Sequence, residues 1–310
     1  MSAVRFFVAG VPKAGTTALC LFLGQHPEVF MCPIKEPGFF AAKELLAIDV
    51  PWMRSSIDRK ALIVERWFAG EMRERPIDGF ALQWGPYEAL FNDVRDELAV
   101  GEGSMSYWWA QGAPGAIRER FPDARFVLVL RDPADRFFSQ YLATRWSQPH
   151  RTCRECFVLA REGREEWGSV LGVGRYATNL RRFFESFPRS QFSIHLYEDF
   201  CSDPRAVCRE ILRFLGVDDD YPVDVSARAN EPILPRWPAL QPLRQSLSGS
   251  YALSRLVPAR CRHFFRRPFQ KPRSRETMAP ADRRAIVDHY RDEILQTSQL
   301  IGRDLSPWLQ

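Results

Sequence analysis

The residues with the most specific chemistry lie near the start of the chain. Gly10-Val11-Pro12-Lys13-Ala14-Gly15-Thr16-Thr17 carries two glycines at the spacing of a nucleotide phosphate loop. Such a loop wraps backbone N–H groups around phosphate oxygens, brings a lysine to the terminal groups and uses a Ser or Thr hydroxyl for magnesium. Here Thr16 stands where that lysine belongs, and Lys13 lies inside the loop instead. An anion site is still expected, because the loop opens a helix whose first N–H groups are unpaired and whose dipole favours negative charge. A magnesium-dependent ATP phosphotransferase needs its lysine after the second glycine, so this loop departs from that class.

A second constellation is Leu130-Arg131-Asp132-Pro133-Ala134-Asp135-Arg136-Phe137-Phe138-Ser139-Gln140-Tyr141. Arg131 follows the apolar run Arg125–Leu130, which predicts a central parallel strand buried on both faces. It therefore sits at a strand's C-terminal edge, where open α/β sheets bind ligands. Its planar fork of donors suits a phosphate. Asp132 and Pro133 predict an N-cap and first turn, and Arg136 and Ser139, three apart, are expected on one face of that helix. Asp132 read instead as a magnesium-binding carboxylate is disfavoured by the proline behind it. For proton transfer the first candidate is Glu36, in Lys35-Glu36-Pro37-Gly38-Phe39-Phe40, and the second is Glu102, in Glu102-Gly103-Ser104.

Together these stretches resemble the sulfotransferases that use 3′-phosphoadenosine 5′-phosphosulfate (PAPS). Pro12 to Thr17 is similar to their PK-x-G-T-T donor loop, and Leu130 to Tyr141 to their LR-x-P-x-x-R-x-x-S-x-Y element. Ala18-Leu19 and Phe22 to Pro27 look like the carbohydrate branch, and Glu36 to Phe40 like the E-x-x-F-F element of the heparan sulfate type. The resemblance implies a three-layer α/β fold of P-loop type, with a central parallel sheet flanked by helices. It implies that Lys13, Ala14, Gly15, Thr16 and Thr17 hold the 5′-phosphosulfate, that Arg131 and Ser139 hold the 3′-phosphate, and that Glu36 is the base. Lys13 would stabilise the leaving phosphate, with adenosine 3′,5′-bisphosphate (PAP) as product and no metal required. Lys271-Pro272-Arg273-Ser274-Arg275-Glu276-Thr277 is similar to a late loop that closes on the nucleotide, which carries over Lys271, Arg273 and Ser274 as donor contacts. Ser104 and Tyr176 join Glu102 as candidate substrate contacts. One departure stands out: heparan-type enzymes often show E-K-[ST] where this chain has Glu102-Gly103-Ser104, so a lysine expected beside the acceptor is missing.

The elements that must position these groups alternate. Arg5–Ala9 predicts a strand, Thr16–Gly24 a helix, Leu98–Gly101 a strand and Ala113–Arg120 a helix. Tyr176–Phe187 predicts a helix, Phe192–Tyr197 a strand, and Pro204–Leu215 a helix stopped by Gly216. Residues 33–58 read as irregular, with Pro33, Pro37 and Pro51 as breakers, before short helices at Leu62–Phe68 and Tyr87–Phe91. A single domain over residues 1–310 is expected, with an irregular basic segment at about 230–275 and a closing helix near Pro280–Ile301.

Composition sets the outer limits. Charged residues at 26% and aromatics at 13% suit a folded globular chain rather than a disordered one. A net charge of +5 is too mild to read as a nucleic-acid footprint, but it suits an anionic ligand. No apolar run is long enough for a membrane span, and the apolar start reads as a strand rather than a signal peptide. Seven cysteines at irregular spacing, with one CxxC at Cys153 and Cys156, fit free thiols in a reducing cytoplasm better than a disulfide framework or a zinc site. The expected activity is transfer of a sulfuryl group from PAPS to a hydroxyl of a glycan or hydroxylated metabolite. The alternatives are a kinase-like ATP phosphotransferase and a non-catalytic nucleotide-binding scaffold.

Overall fold

The computed structural model describes residues 4–48, 51–72, 76, 78–144, 151–164, 170–226, 233–235, 270–272 and 276–310. Five parallel strands form the central sheet in the order β2-β3-β1-β4-β5: β1 Val4–Gly10, β2 Val29–Met31, β3 Ala99–Gly103, β4 Arg125–Leu130 and β5 Phe192–Leu196. The inner strands are apolar along their length because helices cover both faces. Phe6, Phe7, Val8 and Phe126 to Leu130 have no exposed surface. Phe7 stacks on Phe126 at 5.7 Å and meets Phe40 edge-on at 5.8 Å, so ring packing locks the two central strands to the segment after β2.

Chain order reverses between β1 and β4. After β1 the chain runs outward to β2 and β3, then crosses to the other side of β1. In a sheet of this kind the crevice for ligands opens at the strands' C-terminal ends beside that reversal. The loop after β1 and the Arg131 element after β4 are neighbours for this reason. Val11 N–H donates to the Val129 carbonyl at 2.9 Å and ties one to the other.

Several elements follow the sequence closely. The helices Ala113–Arg120, Pro204–Leu215 and Pro280–Ile301 and the strand β4 form as expected. Gly216 adopts a left-handed φ of 81° and stops its helix. Residues 33–58 differ. Pro51 opens a helix that runs from Pro51 to Phe68 rather than breaking one. Proline is welcome at a first helical position because its missing N–H would find no partner there. The strand β2 and the helices Cys153–Arg161 and Tyr197–Ser202 also carry too short a pattern to stand out in sequence. Within the basic segment, Ile233–Pro235 and Gln270–Pro272 pair as antiparallel strands β6 and β7, with Leu234 opposite Lys271. Arg273 and Ser274 lie outside the described residues, as does most of the 230–275 stretch.

The closing helix is fastened to the donor element. Asp132 caps the helix Pro133–Thr144, accepting from the Ala134 and Asp135 amides at 2.8 and 3.1 Å. Arg283, from the closing helix, pairs with the other oxygen of Asp132 and with Asp135 at 2.8 Å. Asp132 is 3% exposed, so its charge depends on that partner. Arg283→Ala should destabilise the fold by roughly 2 kcal/mol, read as a lower urea midpoint at unchanged slope. Asp132→Asn in the same background should add little further loss, because the two changes remove one pair.

Candidate active site

Loops after all five strands of the sheet meet at its C-terminal edge. The first is the anion loop. Lys13 and Gly15 take left-handed φ values of 74° and 77°, which folds residues 11–15 tightly before the helix Thr16–Leu23. Gly15 is the N-cap and offers no side chain, so no capping group occupies the amides of the first turn. A Cβ at Gly15 would lie 3.1 Å from Phe200 and 3.2 Å from Tyr197, both on the helix after β5. Glycine is therefore demanded twice at this position, by φ and by the approach of two rings. Ala14 is fully buried and Thr16 nearly so, while Lys13, Gly15 and Thr17 are half-buried at the edge of the crevice.

Arg131 closes the loop from the other side of the switch point. Its Nη1 donates to the Lys13 carbonyl at 2.8 Å, and its guanidinium lies 4.5 Å from the centre of the Tyr197 ring. The Tyr176 hydroxyl donates to the Arg131 carbonyl at 2.7 Å. Ser139 is half-buried on the helix Pro133–Thr144. Arg136 does not share its exposure. It is 1% exposed and donates inward to the Val170 carbonyl at 2.8 Å, so its charge holds the protein together rather than facing the crevice.

The carboxylates sit at the ends of β2 and β3. Glu36 has a φ of 62°, and its N–H donates to the Gly103 carbonyl at 3.0 Å, which extends the β2 edge along β3. Among the described residues, Lys13 and Glu36 are the two non-glycine positions with positive φ. Each such residue costs about 1 kcal/mol or more, and strain of this kind concentrates at working sites. Glu36 Oε2 accepts the Met105 N–H at 2.8 Å, and Oε1 lies 3.6 Å from Lys35 Nζ. Burial pushes the Glu36 carboxyl above its usual range, against the opposing pull of Lys35, the Met105 amide and Lys60. Lys35 Nζ also donates to Thr17 Oγ1 at 2.6 Å. One ammonium thus links the anion loop to the carboxylate, a role that its place beside Glu36 in the sequence did not reveal.

Glu102 is placed differently from Glu36. It has no exposed surface, and three hydroxyls surround it: Tyr107 at 2.6 Å and Tyr87 at 3.1 Å on Oε1, and Ser104 at 2.5 Å on Oε2. Ser104, equally enclosed, accepts the Gly38 N–H at 3.0 Å. Tyr176 is 1% exposed with its hydroxyl committed to Arg131. Glu102, Ser104 and Tyr176, expected from the sequence as substrate contacts, are thus buried side chains with their polar atoms engaged by other residues of the protein. Lys271 lies on β7, and its backbone alone is described. Among the described residues no cluster of His, Cys, Asp and Glu forms a metal site.

Burial raises the Glu102 carboxyl to about 7, with the three hydroxyl bonds opposing that shift. The folded protein holds this proton at a pH where the unfolded chain, with a value near 4.5, has released it. The contribution to stability is complete below about 4.5 and is lost as pH rises through about 7. Glu102→Gln should flatten that decline, so urea titrations should show the variant gaining on the parent between pH 5 and pH 8.

Three comparisons bear on this geometry. Residues 5–221 match the model of the sulfotransferase family, a span that holds the anion loop, Glu36, Glu102 and the Arg131 element. The chain is 27% identical to mouse "Bifunctional heparan sulfate N-deacetylase/N-sulfotransferase 3" over 225 residues, covering 70% of this chain and 23% of that protein. It is 24% identical to human "Carbohydrate sulfotransferase 15" over 251 residues, covering 69% and 44%. The chain thus spans less than half the length of either relative. A solved sulfotransferase from Alicyclobacillus acidocaldarius shares the fold over the full length of both chains, with a TM-score of 0.68 at 24% identity. On the match over residues 5–221, this chain belongs to the sulfotransferase family.

Proposed function

We propose that this protein transfers a sulfuryl group from PAPS to a hydroxyl of a glycan or a hydroxylated metabolite. The observation that carries the reading is the link from loop to base: Lys35 Nζ touches both Thr17 of the anion loop and the carboxylate of Glu36. An anion cradle and a half-buried carboxylate this close suit in-line displacement, with a leaving group on one side and an attacking oxygen on the other. Relatives named for heparan sulfate and carbohydrate support a sugar as the acceptor class, although the first is named for transfer to nitrogen.

PAPS, when bound, supplies the sulfuryl group and leaves as PAP. The first-turn amides of Thr16 and Thr17, with the uncapped Gly15, fit its 5′-phosphosulfate, and Arg131 and Ser139 fit the 3′-phosphate. Lys13 stabilises charge on the departing phosphate. Lys271, Arg273 and Ser274 are proposed to complete the nucleotide contacts. Glu36 accepts the acceptor proton through Oε1, since Oε2 is held by the Met105 amide. Its raised pKa brings it nearer the working pH, where a base transfers protons best. Glu102 is assigned the orienting of this segment. A reducing cytoplasm is proposed as the setting, in keeping with six described cysteines, none of which is in a disulfide. Among the described residues no helix is long and apolar enough to cross a membrane.

Calorimetry with PAP against ATP plus magnesium tests the nucleotide. PAP should bind without metal, whereas tight ATP binding with none for PAP would reject the reading. Lys13→Ala should lose on the order of 100-fold in kcat/KM for sulfuryl transfer, as preorganised charge-stabilising groups do. Glu36→Gln should lose about 100-fold or more and abolish the acidic limb of the pH–rate profile. In the parent protein that limb should lie above the ordinary carboxylate range, with activity falling as pH drops and Glu36 gains a proton. Near-parental turnover in Glu36→Gln would move the base elsewhere.

A further inference from the structure

Lys35 has three N–H donors and two visible partners, Thr17 Oγ1 at 2.6 Å and Glu36 Oε1 at 3.6 Å. Its side chain is 32% exposed, enough to meet a ligand and buried enough for its charge to act at short range. The other nearby ammonium, Lys60, is committed elsewhere: it pairs with Asp78 at 2.7 Å and lies over the Phe80 ring at 5.4 Å. Lys13 belongs to the loop on the donor side. Among the described residues, Lys35 is therefore the cation that joins the anion loop to the carboxylate.

Gly103 explains why the cation comes from this segment. A Cβ there would lie 2.6 Å from Cys20 Sγ, on the helix that follows the loop. The end of β3 packs so closely on that helix that any side chain there would have to displace Cys20. The Glu36 N–H binds the Gly103 carbonyl, so the neighbouring segment runs directly alongside. From there Lys35 reaches Thr17, one helical turn from Cys20.

We infer that Lys35 is a catalytic residue of sulfuryl transfer, its ammonium binding the non-bridging sulfuryl oxygens on the acceptor side while pairing with Glu36. This rests on the proposed transfer from PAPS. In the step, the acceptor oxygen gives its proton to Glu36 Oε1 and forms the new O–S bond. The bond from sulfur to the bridging oxygen breaks, and its electron pair goes to the phosphate of PAP. Lys35 turns from its ion pair toward the sulfuryl oxygens as Glu36 becomes neutral, so charge within the crevice stays balanced through the transfer. The other groups that bear on Glu36 are Lys60, Cys20, Glu102 and the Met105 amide. None of these touches the loop hydroxyl of Thr17 in the way Lys35 does.

The test compares Lys35→Ala and Lys35→Arg with the parent in PAP calorimetry, thermal melting and pH–rate profiles for PAPS-driven transfer. Lys35→Ala should melt near the parent and bind PAP within about threefold of it. Its kcat should fall on the order of 100-fold, a loss typical of removing a group that meets charge in the transition state. Its acidic limb should move to higher pH, because Glu36 loses the cation that favours its ionised form. Lys35→Arg should recover most of the rate. A Lys35→Ala rate within threefold of the parent with an unmoved limb would overturn the inference. So would a loss of PAP affinity equal to the loss of rate with an unmoved limb, which would confine Lys35 to the donor loop. A parent protein that neither binds PAP nor turns over PAPS would overturn the proposed function and this inference together.

Discussion

Placing a carboxyl group where no water reaches it is unfavourable by several kcal/mol unless its lone pairs are met by donors. Glu102 sits in such a place, and its three hydroxyl donors organise the acceptor side of the crevice. Ser104 passes the constraint on by accepting the Gly38 N–H, and Tyr107 accepts the Phe40 N–H at 3.5 Å. The segment after β2 is thus fixed at two points beyond Glu36, while the Gly103 carbonyl fixes Glu36 itself. A residue in a left-handed conformation persists only where its surroundings over-determine it. The Glu102 network provides that for Glu36. The ring contacts among Phe7, Phe40 and Tyr107 bind the network to the central strands, so the core of the sheet and the position of the carboxylate are one structure.

The donor side is built by a parallel logic with different parts. The strain at Lys13 is held by Arg131, which donates to its carbonyl, and by the rings of Tyr197 and Phe200 behind Gly15. Arg131 is steadied in turn by Tyr176, and the next residue, Asp132, is anchored to the closing helix through Arg283. Each side spends its hydrogen bonds on backbone geometry. The Lys35 and Glu36 side chains, joined as an ion pair, stand beside the loop that carries Lys13.

Much of this was legible in the residues. The β4 run Arg125–Leu130 is apolar throughout, the Asp132-Pro133 pair announces its helix, and Gly216 announces an end, because each feature is local and strong. The anion loop and the Glu36 element carry specific spacing and were visible on that ground. What sequence hides is burial. Glu102 and Ser104 have residue types suited to an acceptor site, and only packing shows that both are enclosed and fully engaged. Arg136 and Ser139 share helical spacing, yet the Val170 carbonyl draws Arg136 inward. Pro51 reads as a breaker in sequence because a proline ends some helices and begins others, and the choice depends on neighbours that a local pattern does not contain. Lys35 is hidden for a related reason: its partner Thr17 is eighteen residues away, on another element.

An anion loop and a carboxylate lie on either side of the Lys35 ammonium. A crystal structure of the protein with PAP addresses that arrangement most directly. The 5′-phosphate should lie within hydrogen-bonding distance of the Gly15, Thr16 and Thr17 amides, with Lys35 Nζ and Glu36 Oε1 on the open side of that phosphate. A nucleotide bound with its 5′-phosphate away from this loop, or with Glu36 behind it and out of reach of an attacking hydroxyl, would contradict the account.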